Sequence, residues 1–319
     1  MTTTDSDRLR QKAIAKLRSP YEMQVICIDI TNKCDLACSN CTRLLANQDS
    51  LWEMTPDNFR RAVRSLEGYP GIIAIIGGNP VMHRNFAELC DIFVAEVPNK
   101  KQRGLWTNNV FKHSDRAKEV FGIFNLNPHG EERGIASLKD LKKLGWYHED
   151  HSSHSPLLTA GKDLFEEAEM WDRISKCDVN HEWSASIVQN KGRLRAYFCE
   201  VAASFDLARG TDHGIEPVPG WWRRNVSTFE DQVAHFCPGC GVPAKLKGHM
   251  DFEEVDTYSH SNADLALKSA ERGRKIVALD HADAFIGHKV TQYSPTLRAM
   301  RDGPSLKGVL KSLGTLIGR

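Results

Sequence analysis

The stretch "VICIDITNKCDLACSNC", residues 25–41, decides the reading of the chain. Its first part is apolar and rich in β-branched residues, the composition of a buried strand. Its second part sets Cys34, Cys38 and Cys41 at a C-x3-C-x2-C spacing directly after that strand. A tetrahedral metal site closes with four ligands. Either the fourth ligand lies elsewhere in the chain, or one coordination position stays open.

Outward from this stretch, apolar runs and helical periodicities alternate. A polar helix is expected over residues 5–18, ended by Ser19-Pro20. "TPDNFRRAVRSLEGYPG" opens with a Thr cap and a first-turn Pro and ends at glycine, the pattern of a helix. "GIIAIIGG" follows as a second strand, "NFAELCDIFVAEV" as a helix, "RGLWTNN" as a third strand and "GIFNLNPHG" as a fourth. Strands alternating with helices predict a parallel sheet of βα units, either open or curled into a full or partial barrel. Beyond residue 130 the pattern weakens into a His- and Ser-rich stretch, then "KDLFEEAEMWDRIS" reads as one helix. "EWSASIVQN" and "RLRAYFC", joined at Asn190-Lys191-Gly192, predict a β-hairpin. The tail "GPSLKGVLKSLGTLIGR" reads as a basic amphipathic helix docked on the fold.

Composition narrows the function. The 319 residues carry 42 Lys+Arg against 41 Asp+Glu, so no electrostatic footprint for nucleic acid or an anionic membrane is present. No apolar run approaches the ~18 residues of a membrane span, and "MTTTDSDRLRQKAIAKLR" has no apolar signal core. A cytoplasmic location is expected. In that compartment nine cysteines do not read as a disulfide framework, and clustered ones read as metal ligands. Seven of the nine fall into two groups. Cys27 and Cys90 lie in apolar stretches and read as core.

Three thiolates can hold three irons of a cubane and leave the fourth iron free to bind a ligand. "CDLACSNC" after an initial strand resembles the cysteine signature of the radical S-adenosylmethionine superfamily, and "IIGGNP" (75–80) is similar to its GGE-type motif at the end of the second strand. The resemblance covers about residues 22–175. It implies an α/β fold, a partial (β/α)6 TIM-like barrel, with a [4Fe-4S] cluster on Cys34, Cys38 and Cys41. S-adenosylmethionine would chelate the open iron, and its reductive cleavage would yield a 5′-deoxyadenosyl radical that abstracts hydrogen from substrate. A flavodoxin- or ferredoxin-type protein would donate the electron. Gly77 and Gly78 would let backbone approach the methionine moiety, within a motif completed by Asn79 and Pro80. Asn108, Asn109, Asn127 and His129, at the ends of the third and fourth strands, would bond the ribose or carboxylate, or else cap their loops. The chain departs from the pattern twice: Asn40 stands where an aromatic residue usually precedes the third cysteine, and Asn79 replaces the acid.

The second group is Cys177, Cys199, Cys237 and Cys240. Alone, "CPGCG" suits a structural zinc site as well as an iron one. With the hairpin between Cys177 and Cys199 it is similar to the twitch form of the SPASM extension, a small β-hairpin-plus-helix domain that holds one auxiliary [4Fe-4S] cluster. The domains expected are an N-terminal helical extension (1–21), a radical S-adenosylmethionine core (22–175), an auxiliary-cluster domain (176–260) and a helical segment (261–319). The resemblance favours oxidation of a small polar metabolite such as a sugar, an aminocyclitol or a nucleoside-like compound. Radical epimerisation or peptide modification are the enzymatic alternatives, and an iron–sulfur electron-transfer protein the non-enzymatic one. The short stretch before the first strand lacks the recognition domain that peptide-modifying relatives often carry, which favours a small molecule. Substrate contacts are expected from His148, His151 and His154, or from Trp221, Trp222 and Arg223 closing the pocket.

Overall fold

A computed structural model describes residues 4–110, 113–126 and 155–279. Helix α1 (Asp5–Ile14) begins at a reciprocal Thr4–Asp7 cap. Three βα steps and a fourth strand follow: β1 (Val25–Asp29), α2 (Pro56–Ser65), β2 (Ile72–Ile76), α3 (Phe86–Glu96), β3 (Arg103–Thr107), α4 (Ser114–Val120) and β4 (Ile123–Leu126). Next come α5 (Gly161–Leu164), α6 (Glu167–Ile174), α7 (Asp178–Glu182), β5 (Ser184–Asn190), β6 (Arg193–Tyr197), α8 (Glu200–Arg209) and α9 (Glu230–Phe236). The described chain ends in β7 (Val255–Tyr258), α10 (Ala263–Glu271) and β8 (Lys275–Ala278). Among these residues no helix is long and apolar enough to cross a membrane.

The main sheet runs β4-β3-β2-β1-β5-β6, parallel except for the last pair. Strand β1 is buried along its whole length, as expected for a parallel strand covered on both faces. Ile26 and Ile28 face the helices in the main core, with Ile73, Ile75 and Leu105. Val25, Cys27, Ile72 and Ala74 form a smaller cluster on the opposite face, with Ile76, Trp106 and Ile123 against it. Helix α2 turns Phe59, Ala62 and Val63 inward, and Thr55 Oγ accepts from Asn58 N at 3.2 Å to cap it.

The sheet is parallel-dominated, as expected of an α/β fold of βα units. Here β5 lies on the other side of β1, pairing Val25 with Ser184 and Cys27 with Ser186, so among the described residues the sheet has edges at β4 and β6. The hairpin was expected in a separate domain beyond residue 175. It forms, with Lys191 and Gly192 both left-handed in its two-residue turn, but its first strand joins the main sheet. The physical reason is the open edge of β1, whose backbone groups need partners when buried. The helix read over 162–175 is broken at Phe165-Glu166 into α5 and α6. Within the segment expected to be helical from 261, α10 forms, and β8 after it completes a parallel βαβ unit with β7. The tail beyond residue 279 lies outside the described residues.

Candidate functional site

The cysteine loop leaves β1 and is pinned first by backbone. Gly78 N donates to Thr31 O at 2.8 Å, and Asn79 N donates to Lys33 O at 2.6 Å. The approach is so close that a Cβ on Gly78 would lie 2.1 Å from Lys33 O, and one on Gly77 2.2 Å from Thr31 O. Gly77 also has φ +150°, which other residues rarely adopt. What these glycines admit is therefore the cysteine loop itself. Asn79 is buried; its amide donates to Asp35 Oδ1 at 3.3 Å, and its oxygen accepts from Thr107 Oγ at 2.8 Å. Asn108 Nδ2 donates to the same Asp35 oxygen at 2.9 Å. The amide that replaces the motif's acid thus joins the loop to β2 and β3.

Asn40 also acquires a reason. It is left-handed at φ +54°, a conformation that asparagine tolerates and bulky aromatic residues do not, and its Nδ2 donates to His249 O at 3.1 Å. The second half of the loop is held from the C-terminal βαβ unit and the turn before it. Ser39 N donates to Asp251 O (2.8 Å) and Ser39 Oγ accepts from Val255 N (2.8 Å). Asn47 Nδ2 donates to Leu265 O and to Ser269 Oγ, both at 2.7 Å.

The loop and the inner face of the sheet enclose a cavity of about 660 Å³. Cys34, Cys38 and Cys41 line it together with Gly77, Gly78 and Asn108, at the C-terminal ends of parallel strands where such sheets place ligands. Burial pushes the Cys34 thiol up to about 12 and raises Cys38 and Cys41 as well, with neighbouring thiols adding to the cost at Cys34 and Cys38. Three thiolates here require a compensating cation, which a metal centre supplies. Asn108 Oδ1 and Asn125 Oδ1 are buried acceptors with no partner among the described residues, and both residues line the cavity.

The second group also assembles. Cys177 and Cys199 precede the first turns of α7 and α8, whose backbone N–H groups at Val179 and Asn180, and at Val201 and Ala202, favour the charged sulfur. Cys237 and Cys240 bracket a single turn after α9. All four line a chamber of about 20 Å³ walled by Leu17, Ile174, Phe198, Phe205 and Phe236. Burial drives Cys177 to about 11 and Cys199 to about 12, and it raises Cys237 and Cys240 well above the ordinary thiol value. Among the described residues, no three His, Cys, Asp or Glu side chains converge as a site for a single metal ion.

A buried ion pair spans the two thiol groups. Arg43, two residues after Cys41, places Nη2 3.0 Å from Oε2 of Glu200, the residue after Cys199. Arg43 Nε lies 3.5 Å from Asp29 Oδ1. Ser186 Oγ donates to Asp29 at 2.6 Å, and Ser184 Oγ donates to Glu200. Arg43 and Glu200 both reach the cavity wall. Sequence reasoning passed over both, because a single Arg or Glu carries no signal until the fold buries it.

Other expected residues fall elsewhere. Trp221 and Trp222 are buried at 0% and 6% exposure; Trp221 packs edge-on against Phe229, and Trp222 against Tyr69, with Arg223 over Trp222. None of the three lines the cavity; both indoles pack in the core instead. Pro80 starts a one-turn helix, and Asn109 turns back on Thr107 Oγ, outside the cavity wall. Cys27 and Cys90 are buried, as expected of core thiols. Asn127, His129, His148, His151 and His154 lie outside the described residues.

No protein-family model matches the chain, and no curated protein matches it. Among solved structures it is similar to BtrN in complex with AdoMet and 2-DOIA, at 15% identity over 70% of this chain and 89% of that one, with a TM-score of 0.44. A selenomethionine form of BtrN in an open conformation gives 14% identity, 69% and 87% coverage and a TM-score of 0.39.

Two outcomes follow from the geometry. Gly78→Ala is expected to destabilise the protein by about 2–3 kcal/mol in chemical denaturation, since backbone must yield to the new carbon. Gly192→Asn, with nothing within 4 Å, should cost well under half as much. Arg43→Met removes the cation between two buried carboxylates and should cost about 3–5 kcal/mol near neutral pH. Burial already raises Asp29, so its folded form binds protons more readily than its unfolded form. The deficit should therefore shrink as pH falls, read by urea unfolding at two pH values.

Proposed function

We propose that the chain is a radical S-adenosylmethionine enzyme that oxidises a small polar metabolite in the 660 Å³ cavity. The observation that carries this is the convergence of Cys34, Cys38 and Cys41 on a ligand-sized cavity that they line without filling. Their donor chemistry fits a four-iron cluster with one position left to S-adenosylmethionine. Bound there, the cluster and S-adenosylmethionine supply a reducing electron and a hydrogen-abstracting radical. A flavodoxin- or ferredoxin-type donor would provide the electron.

The chain's own residues do the rest. Backbone amides of Gly78 and Asn79, just past β2, donate to the Thr31 and Lys33 carbonyls and fix the loop, so that a centre held by its cysteines would border the cavity. The oxygens of Asn108 and Asn125, without a partner among the described residues, accept hydrogen bonds from hydroxyl or amino groups entering the cavity. Val25, Ile76 and Trp106 give the wall an apolar component that excludes water from a radical. Cys177, Cys199, Cys237 and Cys240 fit a second, fully ligated cluster, an acceptor for the electron that oxidation releases. A single zinc ion would draw four sulfurs to about 2.3 Å of one point. The four thiols share one chamber, a donor set that suits a closed, four-ligand centre. Epimerisation needs a thiol to return hydrogen, and neither Cys27 nor Cys90 lines the cavity.

Anaerobically reconstituted protein is expected to hold about eight irons, falling to about four in the Cys34/Cys38/Cys41→Ala variant. About four falling to none, with zinc in both, would make the second group a structural staple and remove the case for oxidation. Reduced protein with S-adenosylmethionine should form 5′-deoxyadenosine by chromatography, and the triple variant should form none. Wild-type protein that carries iron yet leaves S-adenosylmethionine intact would point to electron transfer.

A further inference from the structure

Arg274, at the entrance to β8, reaches back across the fold to the cysteine loop. Its Nη1 donates to Ala37 O and its Nη2 to Cys38 O at 2.9 Å. On the other side Nε and Nη2 meet the two Asp256 oxygens at 2.8 and 2.9 Å. The side chains are 6% and 9% exposed, and both residues line the cavity. Arginine stays charged in any protein environment. A guanidinium is thus fixed against the backbone of a metal-binding loop, with one carboxylate behind it as its counter-charge. Its field reaches the Cys38 and Cys41 sulfurs, opposing the burial that raises both.

We propose that Arg274 and Asp256 form an electrostatic setting for the centre on Cys34, Cys38 and Cys41, in which Arg274 raises its reduction potential and Asp256 moderates that effect. The inference rests on the iron–sulfur reading of that loop. Three thiolates leave the centre with net negative charge, and one-electron reduction adds more. A fixed cation nearby favours the reduced form, and a carboxylate opposes it. The same guanidinium satisfies two loop carbonyls, so Arg274 is a positioning residue as well as a charge. The two roles separate by sign. If the pair only braces the loop, removing either member loosens it in the same sense. If it sets the potential, the two removals act oppositely.

The test is a redox titration followed by electron paramagnetic resonance on full-length, anaerobically reconstituted wild type, Arg274→Met, Arg274→Lys and Asp256→Asn. The signal perturbed by added S-adenosylmethionine identifies the centre. Arg274→Met should lower its midpoint potential by about 59 mV, a tenfold change in the one-electron equilibrium. Arg274→Lys should restore most of the shift, and Asp256→Asn should raise the potential above wild type. Shifts of the same sign in Arg274→Met and Asp256→Asn, or none, overturn the proposal. So does iron loss in Arg274→Met with an unchanged potential in Asp256→Asn, which marks a brace alone. If the wild type takes up no iron on this loop, the cluster reading itself has failed.

Discussion

The constraint on which the rest depends is the contact between the root of the cysteine loop and the end of β2. Two backbone hydrogen bonds, at 2.8 and 2.6 Å, join Thr31–Lys33 to Gly78–Asn79, and only glycine leaves room for them. From that fixed root the loop turns left-handed at Asn40 and again at Leu44. All three thiols line the cavity. Left-handed backbone is costly for leucine, and it persists because its surroundings hold it. Those surroundings come from the other end of the chain, through Asn47, Ser39 and Arg274.

A second constraint is the burial of charge between the two thiol groups. Arg43, Asp29 and Glu200 occupy the floor between β1, β5 and α8, and Ser184 and Ser186 supply the hydroxyls that such a cluster needs. Replacement by apolar side chains would stabilise many folds as well or better. Its position offers a reason for its presence: one ion pair fixes the residue after Cys199 against the residue two beyond Cys41. Both cysteine groups are thereby held in a single frame around the sheet. From β5, paired with β1, Ser184 and Ser186 reach the cluster.

Much of this was legible in the sequence, for identifiable reasons. The β-branched run at 25–29, the Thr55-Pro56 helix start and the Lys191-Gly192 turn are local signals, and each became the expected element. The cysteine spacing was local too. What escaped depends on partners far apart in the chain. Nothing in "SASIV" says that it pairs with β1 rather than standing in its own hairpin domain. The strands at 255–258 and 275–278 are only four residues each, too short for an alternating pattern to announce β7 and β8. The packing of Trp221 and Trp222 was not legible, because an aromatic pair beside arginine looks the same in a pocket and in a core. Asn40 and Asn79 read as departures from a motif, and only the backbone shows that one serves a left-handed turn and the other a buried amide bridge.

The central claim is that three cysteines leave one metal position open and that S-adenosylmethionine fills it. The most direct measurement is electron–nuclear double resonance on the reduced, reconstituted protein with S-adenosylmethionine carrying nitrogen-15 in its amino group. Hyperfine coupling between that nitrogen and the cluster spin is the expected result, lost in the Cys34/Cys38/Cys41→Ala variant. A fully formed cluster on this loop that shows no coupling to the label would contradict it.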